Sequence, residues 1–138
     1  SYFSTFPIKK NEIMKVALEE NNNFKKIIKI IHPEVRKKMN IFLKKNKNKK
    51  IVVLDIPLLL ENKLNKKNDY LIFVQSKKSE INKRIKKRKN FNLKLLKKLK
   101  RMQLPLEYKK RKSHFIIKNK FTKSAVKKDI KEIINFFL

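Results

Sequence analysis

The stretch that decides the expected fold begins at Ile51, ends at Glu61 and reads IVVLDIPLLLE. Its first six residues are apolar except for Asp55 and rich in β-branched side chains, which is typical of a strand buried on both faces. Residues 70–74 and 114–117 repeat this type of run. Asp55 closes the first run, and ligands of open α/β sheets bind outside the carboxyl ends of strands. We therefore expect Asp55 either to hold Mg²⁺ or a substrate hydroxyl or merely to cap the following turn.

Helical periodicity surrounds these three runs. Residues 11–17, 24–31 and 33–43 predict three helices in the first third, because Pro33 disfavours helix in the residue before it and suits the start of a new one. Residues 79–89 and 92–104 predict two helices between the second and third strands, and residues 122–138 predict a last one. Buried strands separated by helices predict an α/β layer architecture with a mainly parallel sheet.

Composition excludes several classes of site. The chain of 138 residues contains no glycine and no cysteine. A phosphate-cradling loop or a dinucleotide fingerprint needs glycine, so these 138 residues contain neither. Disulfides and thiolate metal sites are likewise excluded. No apolar run approaches the ~20 residues that span a bilayer, and no signal-peptide pattern opens the chain, so a cytoplasmic location without membrane contact is expected.

The charge favours an anionic partner but does not identify it. Forty Lys and Arg residues against eleven Asp and Glu residues give +29, which is typical of nucleic-acid binders. Only five of the forty are arginines, the residue type best suited to bidentate phosphate and base contacts. We therefore interpret most lysines as solvated and expect no specific nucleic acid. Residues 62–112 carry +17, however, so a basic RNA- or ribosome-associated module remains the alternative.

Individual side chains allow competing interpretations. Arg84 and Arg88 are spaced to share one helix face, where they would clamp phosphate oxygens or simply form a solvated basic helix. His32 precedes Pro33 and is better explained as a packing or helix-entry residue than as a catalyst. Two isolated histidines supply neither a metal site nor a catalytic triad.

The order of the motifs resembles the dephospho-CoA kinase family of P-loop nucleotide kinases. The similarity covers essentially the whole chain. The matching pieces are IHPEVR at 31–36, VVLDIPLLLE at 52–61, Arg84-x-x-x-Arg88, Gln103-Leu104-Pro105 with Lys109 and Lys110, and HFIIKN at 114–119.

The resemblance implies a partial, three-layer fold of the P-loop kinase type. Residues 1–50 would form a helical acceptor-binding region, residues 51–76 and 113–138 the α/β core, and residues 77–112 a basic lid. The implied reaction is the phosphorylation of the ribose 3′-hydroxyl of dephospho-CoA by ATP with Mg²⁺, the last step of coenzyme A biosynthesis. A sibling nucleotide kinase with another acceptor is a further alternative.

The resemblance also implies roles for single residues. Catalytic roles fall to Arg84, Arg88 and Asp55, and a nucleotide-binding role falls to Asn119. Substrate-binding roles fall to His32, Pro33, Glu61, Gln103 and Lys109.

The departures from the family pattern carry their own expectation. Family members begin with a glycine-rich P-loop, soon followed by an aspartate base, and nothing here matches either. We expect this chain to be the carboxyl-terminal portion of a longer kinase, inactive alone. His114 stands where the family usually has an acid, and Lys120 follows Asn119 where the family usually has glycine.

Overall fold

The protein is described here by a computed structural model of residues 7–19, 21–89 and 91–138, without the side chains of residues 10, 11, 21, 22 and 24. Within these ranges the chain forms helices and two short strands. In chain order the elements are α1 (Lys10–Glu19), α2 (Asn21–Lys45), β1 (Ile72–Gln75), α3 (Lys78–Lys86), α4 (Leu93–Arg101), α5 (Leu106–Lys112), β2 (Phe115–Lys118) and α6 (Lys123–Phe137).

The chain divides into two compact units. The first comprises residues up to Lys49 together with Leu93–Lys100, and the second comprises Lys50–Asn92 and Arg101–Leu138. The division into acceptor region, core and lid that the resemblance implies stays a prediction.

The first unit is built on the packing of α1 against α2. Val16 and Ala17 of α1 are the buried apolar residues of the described ranges, and with Ile13 they follow the i, i+3, i+4 spacing that places residues on one helix face. The Nζ of Lys98 in α4 donates a hydrogen bond to the Ala17 carbonyl at 2.7 Å. This contact ties α4 to the buried end of α1.

Pro33 does not separate two helices, so that prediction is wrong. α2 runs without interruption from Asn21 to Lys45 with Pro33 inside it. Proline removes one backbone hydrogen bond, the one that would reach the Lys29 carbonyl, and its ring crowds the preceding turn. The proline is exposed, and apolar residues recur at helical spacing on both sides of it, so the helix continues.

β1 and β2 form a parallel sheet, which confirms the predicted strand direction. Ile72 pairs with Phe115 and Gln75 with Lys118. The pairing extends past both ends, because the His114 N–H donates to the Leu71 carbonyl and the Asn119 N–H donates to the Gln75 carbonyl, each at 2.8 Å. The connection between the strands carries α3, α4 and α5.

The predicted first strand is absent, so this expectation is wrong. Residues 51–56 have no regular secondary structure. A strand exists only through hydrogen bonds to a neighbour, and within the described ranges none pairs with this stretch. Val53 is 74% exposed, whereas Val52 and Leu54 are half-buried. The alternation shows that only one side of the segment packs inward.

The strands that do form are not buried on both faces, contrary to expectation. Val74 is 54% and Ile116 40% exposed, and neighbouring residues of a strand point to opposite faces. α6 packs on β2, where the Phe115 ring lies 5.2 Å from that of Phe136 and 5.9 Å from that of Phe137. These rings form an aromatic cluster that packs α6 on the sheet within the second unit. Across the described ranges, no helix is both long and apolar enough to cross a membrane.

Candidate functional site

Residues 57–63 fold into consecutive turns that present Glu61. Leu58 adopts φ 57° and Lys63 φ 51°, left-handed conformations that glycine would normally take, in a chain with no glycine. The Asn62 side chain secures the first turn, since its Nδ2 donates to the Leu58 carbonyl at 2.8 Å. The Leu64 N–H donates to the Leu59 carbonyl at 3.0 Å and closes the second.

Glu61 and Lys109, both predicted to bind substrate, contact each other. The Glu61 Oε1 forms an ion pair with the Lys109 Nζ and accepts a 2.9 Å hydrogen bond from the Leu104 N–H. The Glu61 side chain is only 9% exposed and that of Lys109 is 21% exposed. Glu61, Leu104 and Lys109 form what is called here the Glu61 cluster, which joins the 57–63 turns to α5.

The cluster keeps Glu61 ionised. Burial by itself raises the pKa of the Glu61 carboxyl, because a charge is poorly solvated there. The hydrogen bond from Lys109, those from the backbone N–H groups of Glu61 and Leu104, and the positive charge of Lys109 together outweigh burial. The net result is a pKa below the ordinary glutamate value, so the carboxylate is charged at neutral pH.

Helix α5, which carries Lys109, was not predicted from the sequence. It begins after Pro105, holds Glu107 in its first turn, and ends in Lys109, Lys110, Arg111 and Lys112. A proline just before a helix, an acid in the first turn and bases in the last are recognised start and stop signals. These signals were available, but seven residues with only one strongly apolar side chain give no readable periodicity.

Arg84 lies beside the carboxyl ends of both strands. Its guanidinium carbon is 4.0 Å from the centroid of the Phe121 ring, in the loop between β2 and α6. The Phe121 N–H donates to the Asn119 Oδ1 at 2.7 Å, and the Asn119 N–H reaches the carbonyl of Gln75 at the end of β1. Gln75, Arg84, Asn119 and Phe121 are called here the Arg84 cluster. The structure thus brings two predicted site residues, Arg84 and Asn119, to one edge of the sheet.

Arg88 does not share a helix face with Arg84, contrary to the spacing argument. α3 ends at Lys86, and Arg88 follows in a bend where its N–H donates to the Ile85 carbonyl at 3.2 Å. No apolar residue follows Ile85 until Phe91, so nothing buries a further helical turn. The Arg88 side chain is exposed, and within the described ranges no ion pair or ring contact involves it.

The remaining predicted site residues are dispersed. Asp55 and Gln103 are exposed in the second unit, and among the described residues no hydrogen bond or ion pair joins Asp55 to Arg84 or Arg88. His32 and Pro33 lie in α2, in the first unit. In the part of the chain that the structure describes, no three His, Asp or Glu side chains are grouped so as to hold a metal ion.

A surface depression of about 530 Å³ runs along α2 in the first unit. Its lining combines the predicted substrate residue Pro33 with three cationic side chains. The lining residues are Pro33, Arg36, Lys37, Asn40, Ile41 and Lys44. The three cationic side chains would attract an anion to this surface.

Sequence analysis singled out neither Phe121 nor the contacts of His114. The His114 Nδ1 accepts a hydrogen bond from the Leu71 N–H at 2.9 Å, and its ring lies 5.2 Å from that of Tyr70. The signal for the first was an aromatic residue next to a predicted nucleotide-binding asparagine. The signal for the His114 contact was an imidazole at a position where the family pattern leads one to expect an acid.

Comparison with known proteins gives a consistent family. A family model described as dephospho-CoA kinase matches residues 7–124. A dephospho-CoA kinase of Wolbachia from Brugia malayi is 30% identical over 130 residues, which is 93% of this chain and 66% of that protein. A dephospho-CoA kinase of Bartonella quintana is 33% identical over 108 residues, which is 77% of this chain and 55% of that protein.

A dephospho-CoA kinase of Bacillus thuringiensis is 34% identical over 110 residues, or 77% of this chain. The chain spans between 54% and 66% of the lengths of these three relatives. The matched residues include the 57–63 turns, both strands, α3, α5 and the loop that holds Asn119 and Phe121. With the family model matching most of its length, this chain belongs to the dephospho-CoA kinase family.

Proposed function

We propose that residues 1–138 supply the acceptor-binding and lid side of an ATP-dependent kinase that phosphorylates the ribose 3′-hydroxyl of dephospho-CoA. The observation that carries this proposal is the Arg84 cluster. An arginine without a carboxylate partner among the described residues lies beside the carboxyl ends of two parallel strands, where nucleotides bind in open α/β sheets. Membership of the dephospho-CoA kinase family supports the choice of substrates.

The proposed architecture is a partial P-loop kinase fold. The parallel pairing of β1 and β2 and the packing of α6 on β2 are consistent with it. In the complete architecture helices cover both faces of the sheet, which would bury the exposed Val74 and Ile116. The location we propose is the cytoplasm.

Phosphoryl transfer depends mainly on positioning and charge neutralisation, which sets the proposed roles. Arg84 and Arg88 bind phosphate oxygens of ATP and neutralise the charge that develops as the phosphoryl group moves. Asn119 contacts the nucleotide. Asp55, exposed at the end of its segment, lies near Mg²⁺ or the acceptor hydroxyl; Mg²⁺, when bound, neutralises phosphate charge.

Acceptor binding is assigned to the remaining predicted residues. His32 and Pro33 belong to the helix whose depression carries three cations, which suits the diphosphate of dephospho-CoA. Gln103 is exposed directly after α4. Glu61 and Lys109 shape the acceptor side through the Glu61 cluster.

The 138 residues contain no glycine, so another segment must cradle the phosphates. We therefore expect no turnover from residues 1–138 alone. This expectation would be contradicted if the purified chain transferred labelled phosphate from ATP to dephospho-CoA above the background of an Arg88→Ala variant.

The positive test is a fusion of residues 1–138 behind a glycine-rich phosphate-loop segment from a dephospho-CoA kinase. The fusion should phosphorylate dephospho-CoA at the 3′-hydroxyl and should ignore AMP and shikimate offered as acceptors. Preference for another acceptor would favour a sibling kinase. Site-selective RNA binding in moderate salt, unaffected by coenzyme A precursors, would favour the basic RNA-associated module instead.

A further inference from the structure

We propose that Phe121 is a positioning residue, whose ring holds the Arg84 guanidinium at the carboxyl edge of the sheet to receive the phosphates of a polyphosphate ligand. The identification of that ligand as ATP rests on the proposed function, whereas the positioning role does not.

Arg84 contacts an aromatic ring but no carboxylate within the described ranges. Its guanidinium carbon lies over the ring of Phe121 at 4.0 Å from the centroid, which is within the range of a cation–π contact. The five N–H donors of arginine lie in the plane of that group and point outward from its edge. No Asp or Glu within the described ranges forms an ion pair with Arg84. The ring contact therefore restricts the cation, and its N–H donors have no carboxylate partner among the described residues.

The backbone at Phe121 argues against a purely structural role. Phe121 adopts φ 63°, the left-handed region in which every side chain with a Cβ is disfavoured and glycine is not. The loop is nevertheless well formed, because the Phe121 N–H donates to the Asn119 Oδ1 at 2.7 Å. Glycine would satisfy this turn at lower conformational cost. What glycine could not supply is the ring beneath Arg84.

The stack matters because arginine is flexible. Arg84 is exposed, and an exposed arginine samples many rotamers that a ligand must restrict on binding. A ring that already restricts them lowers this entropic cost. The strength of an exposed cation–π contact corresponds to about a three-fold change in affinity.

The test measures binding of inorganic tripolyphosphate to the 138-residue chain by calorimetry at one moderate salt concentration. Phe121→Leu, Phe121→Gly and Phe121→Tyr all leave the charge of +29 unchanged, so non-specific attraction stays constant. Phe91→Leu is the matched control, since this exposed phenylalanine of the same unit has no cation over its ring among the described residues.

We expect the Leu and Gly variants to bind tripolyphosphate about three-fold more weakly than the wild type. The Tyr variant and the Phe91→Leu control should bind like the wild type. Phe121→Gly should unfold at the same temperature as the wild type or at a higher one, which separates the binding defect from lost stability. In NMR spectra the Arg84 Nε–H signal, identified with Arg84→Lys, should show a ring-current shift that vanishes in Phe121→Leu.

Unchanged affinity in both Phe121→Leu and Phe121→Gly would overturn the proposal, and so would the lack of a ring-current shift in the wild type. An affinity that merely follows thermal stability across the variants would also overturn it. If the fusion fails to phosphorylate dephospho-CoA while the variants behave as expected here, the positioning role stands and the proposed acceptor falls. If a Phe121→Leu fusion phosphorylates dephospho-CoA with unchanged KM and kcat, the proposed acceptor stands and the positioning role falls.

Discussion

The basic side chain of the Glu61 cluster is paired with a carboxylate, whereas that of the Arg84 cluster is not. Lys109 is largely buried and its charge is matched by a carboxylate that is 9% exposed. Arg84 is exposed and lies against an aromatic ring, with no acid beside it among the described residues. In a chain with forty basic and eleven acidic residues, density of charge cannot mark a site. The contrast teaches that a cation marks an anion site when it is fixed in place and yet unpaired.

The largest predicted effect is on catalysis, and it tests whether an arginine must be held by a ring in order to act on phosphate, since Arg88 is unpaired within the described ranges but makes no ring contact there. In the active fusion, Arg88→Ala should lower kcat by about a hundredfold or more, because an unpaired arginine that neutralises charge in the transition state has no substitute. Steady-state kinetics with dephospho-CoA and ATP would measure it.

Arg111→Ala serves as the control for that prediction. It removes the same charge from an exposed arginine whose guanidinium lies 6.0 Å from the centroid of the Tyr108 ring, in α5. Its kcat should stay within about two-fold of the unsubstituted fusion. A change in Arg88→Ala that is confined to KM would show that Arg88 only binds substrate.

The second prediction concerns stability. Glu61→Ala should lower the free energy of unfolding by about 3 kcal/mol, because it leaves the Lys109 ammonium and the Leu104 N–H without their shared acceptor. Urea denaturation followed by circular dichroism would measure this loss.

Glu132→Ala is its matched control. Glu132 pairs with Lys128 at 4.0 Å, with side chains 67% and 86% exposed, and such surface pairs contribute little. Its unfolding free energy should stay within about 0.5 kcal/mol of the wild type. If Glu61→Ala and Glu132→Ala lowered the unfolding free energy equally, the buried ion pair would be no more stabilising than the exposed one.

The sequence could single out candidate site residues but not their contacts. Arg84, Asn119, Glu61 and Lys109 were all recognisable from motif order. That Glu61 would meet Lys109 and the Leu104 N–H, 43 residues away, depends on the tertiary fold, which no local pattern encodes. The stack of Arg84 on Phe121 was hidden for the same reason.

The parallel direction of the strands was predictable from the sequence, but the exact set of strands and helices was not. The parallel pairing of β1 with β2 followed from apolar runs separated by helices. Residues 51–56 carry the same pattern yet form no strand, since a β-branched run specifies a preference for extended backbone and cannot supply a hydrogen-bonding neighbour. Pro33 shows the converse case, because a local helix-breaking signal was overridden by the helical residues on either side.

A third prediction uses acid to neutralise the Glu61 cluster. The pKa of Glu61 is lowered in the folded protein, so the unfolded chain takes up a proton at Glu61 first as the pH falls. The stability from the pair is therefore complete above the ordinary glutamate value, about pH 4.3, and is lost below it. The difference in unfolding free energy between the wild type and Glu61→Gln should stay constant from about pH 6 to about pH 5 and should then shrink towards about pH 3. A difference that stays constant over the whole of this range would mean that the Glu61 charge does not stabilise the fold.

The smallest predicted effect separates charge from hydrogen bonding. At the amino-terminal end of the sheet, the His114 Nδ1 accepts a hydrogen bond from the Leu71 N–H at 2.9 Å, in an exposed contact. His114→Phe keeps an aromatic ring near Tyr70 but removes the acceptor, and should lower the unfolding free energy by about 1 kcal/mol, the usual net value of a neutral hydrogen bond.

His114→Asn, whose side-chain oxygen can accept from the same N–H, should recover part of that loss. Hydrogen exchange of the Leu71 amide would report the bond directly, with faster exchange in the Phe variant than in the Asn variant. If His114→Phe cost as much as Glu61→Ala, the advantage of the Glu61 cluster would lie in joining distant segments. If His114→Phe costs about a third as much as Glu61→Ala, the Glu61 cluster is the more stabilising because its acceptor is charged. The Arg84 cluster has no such charged acceptor among the described residues, and we propose that its ligand supplies one.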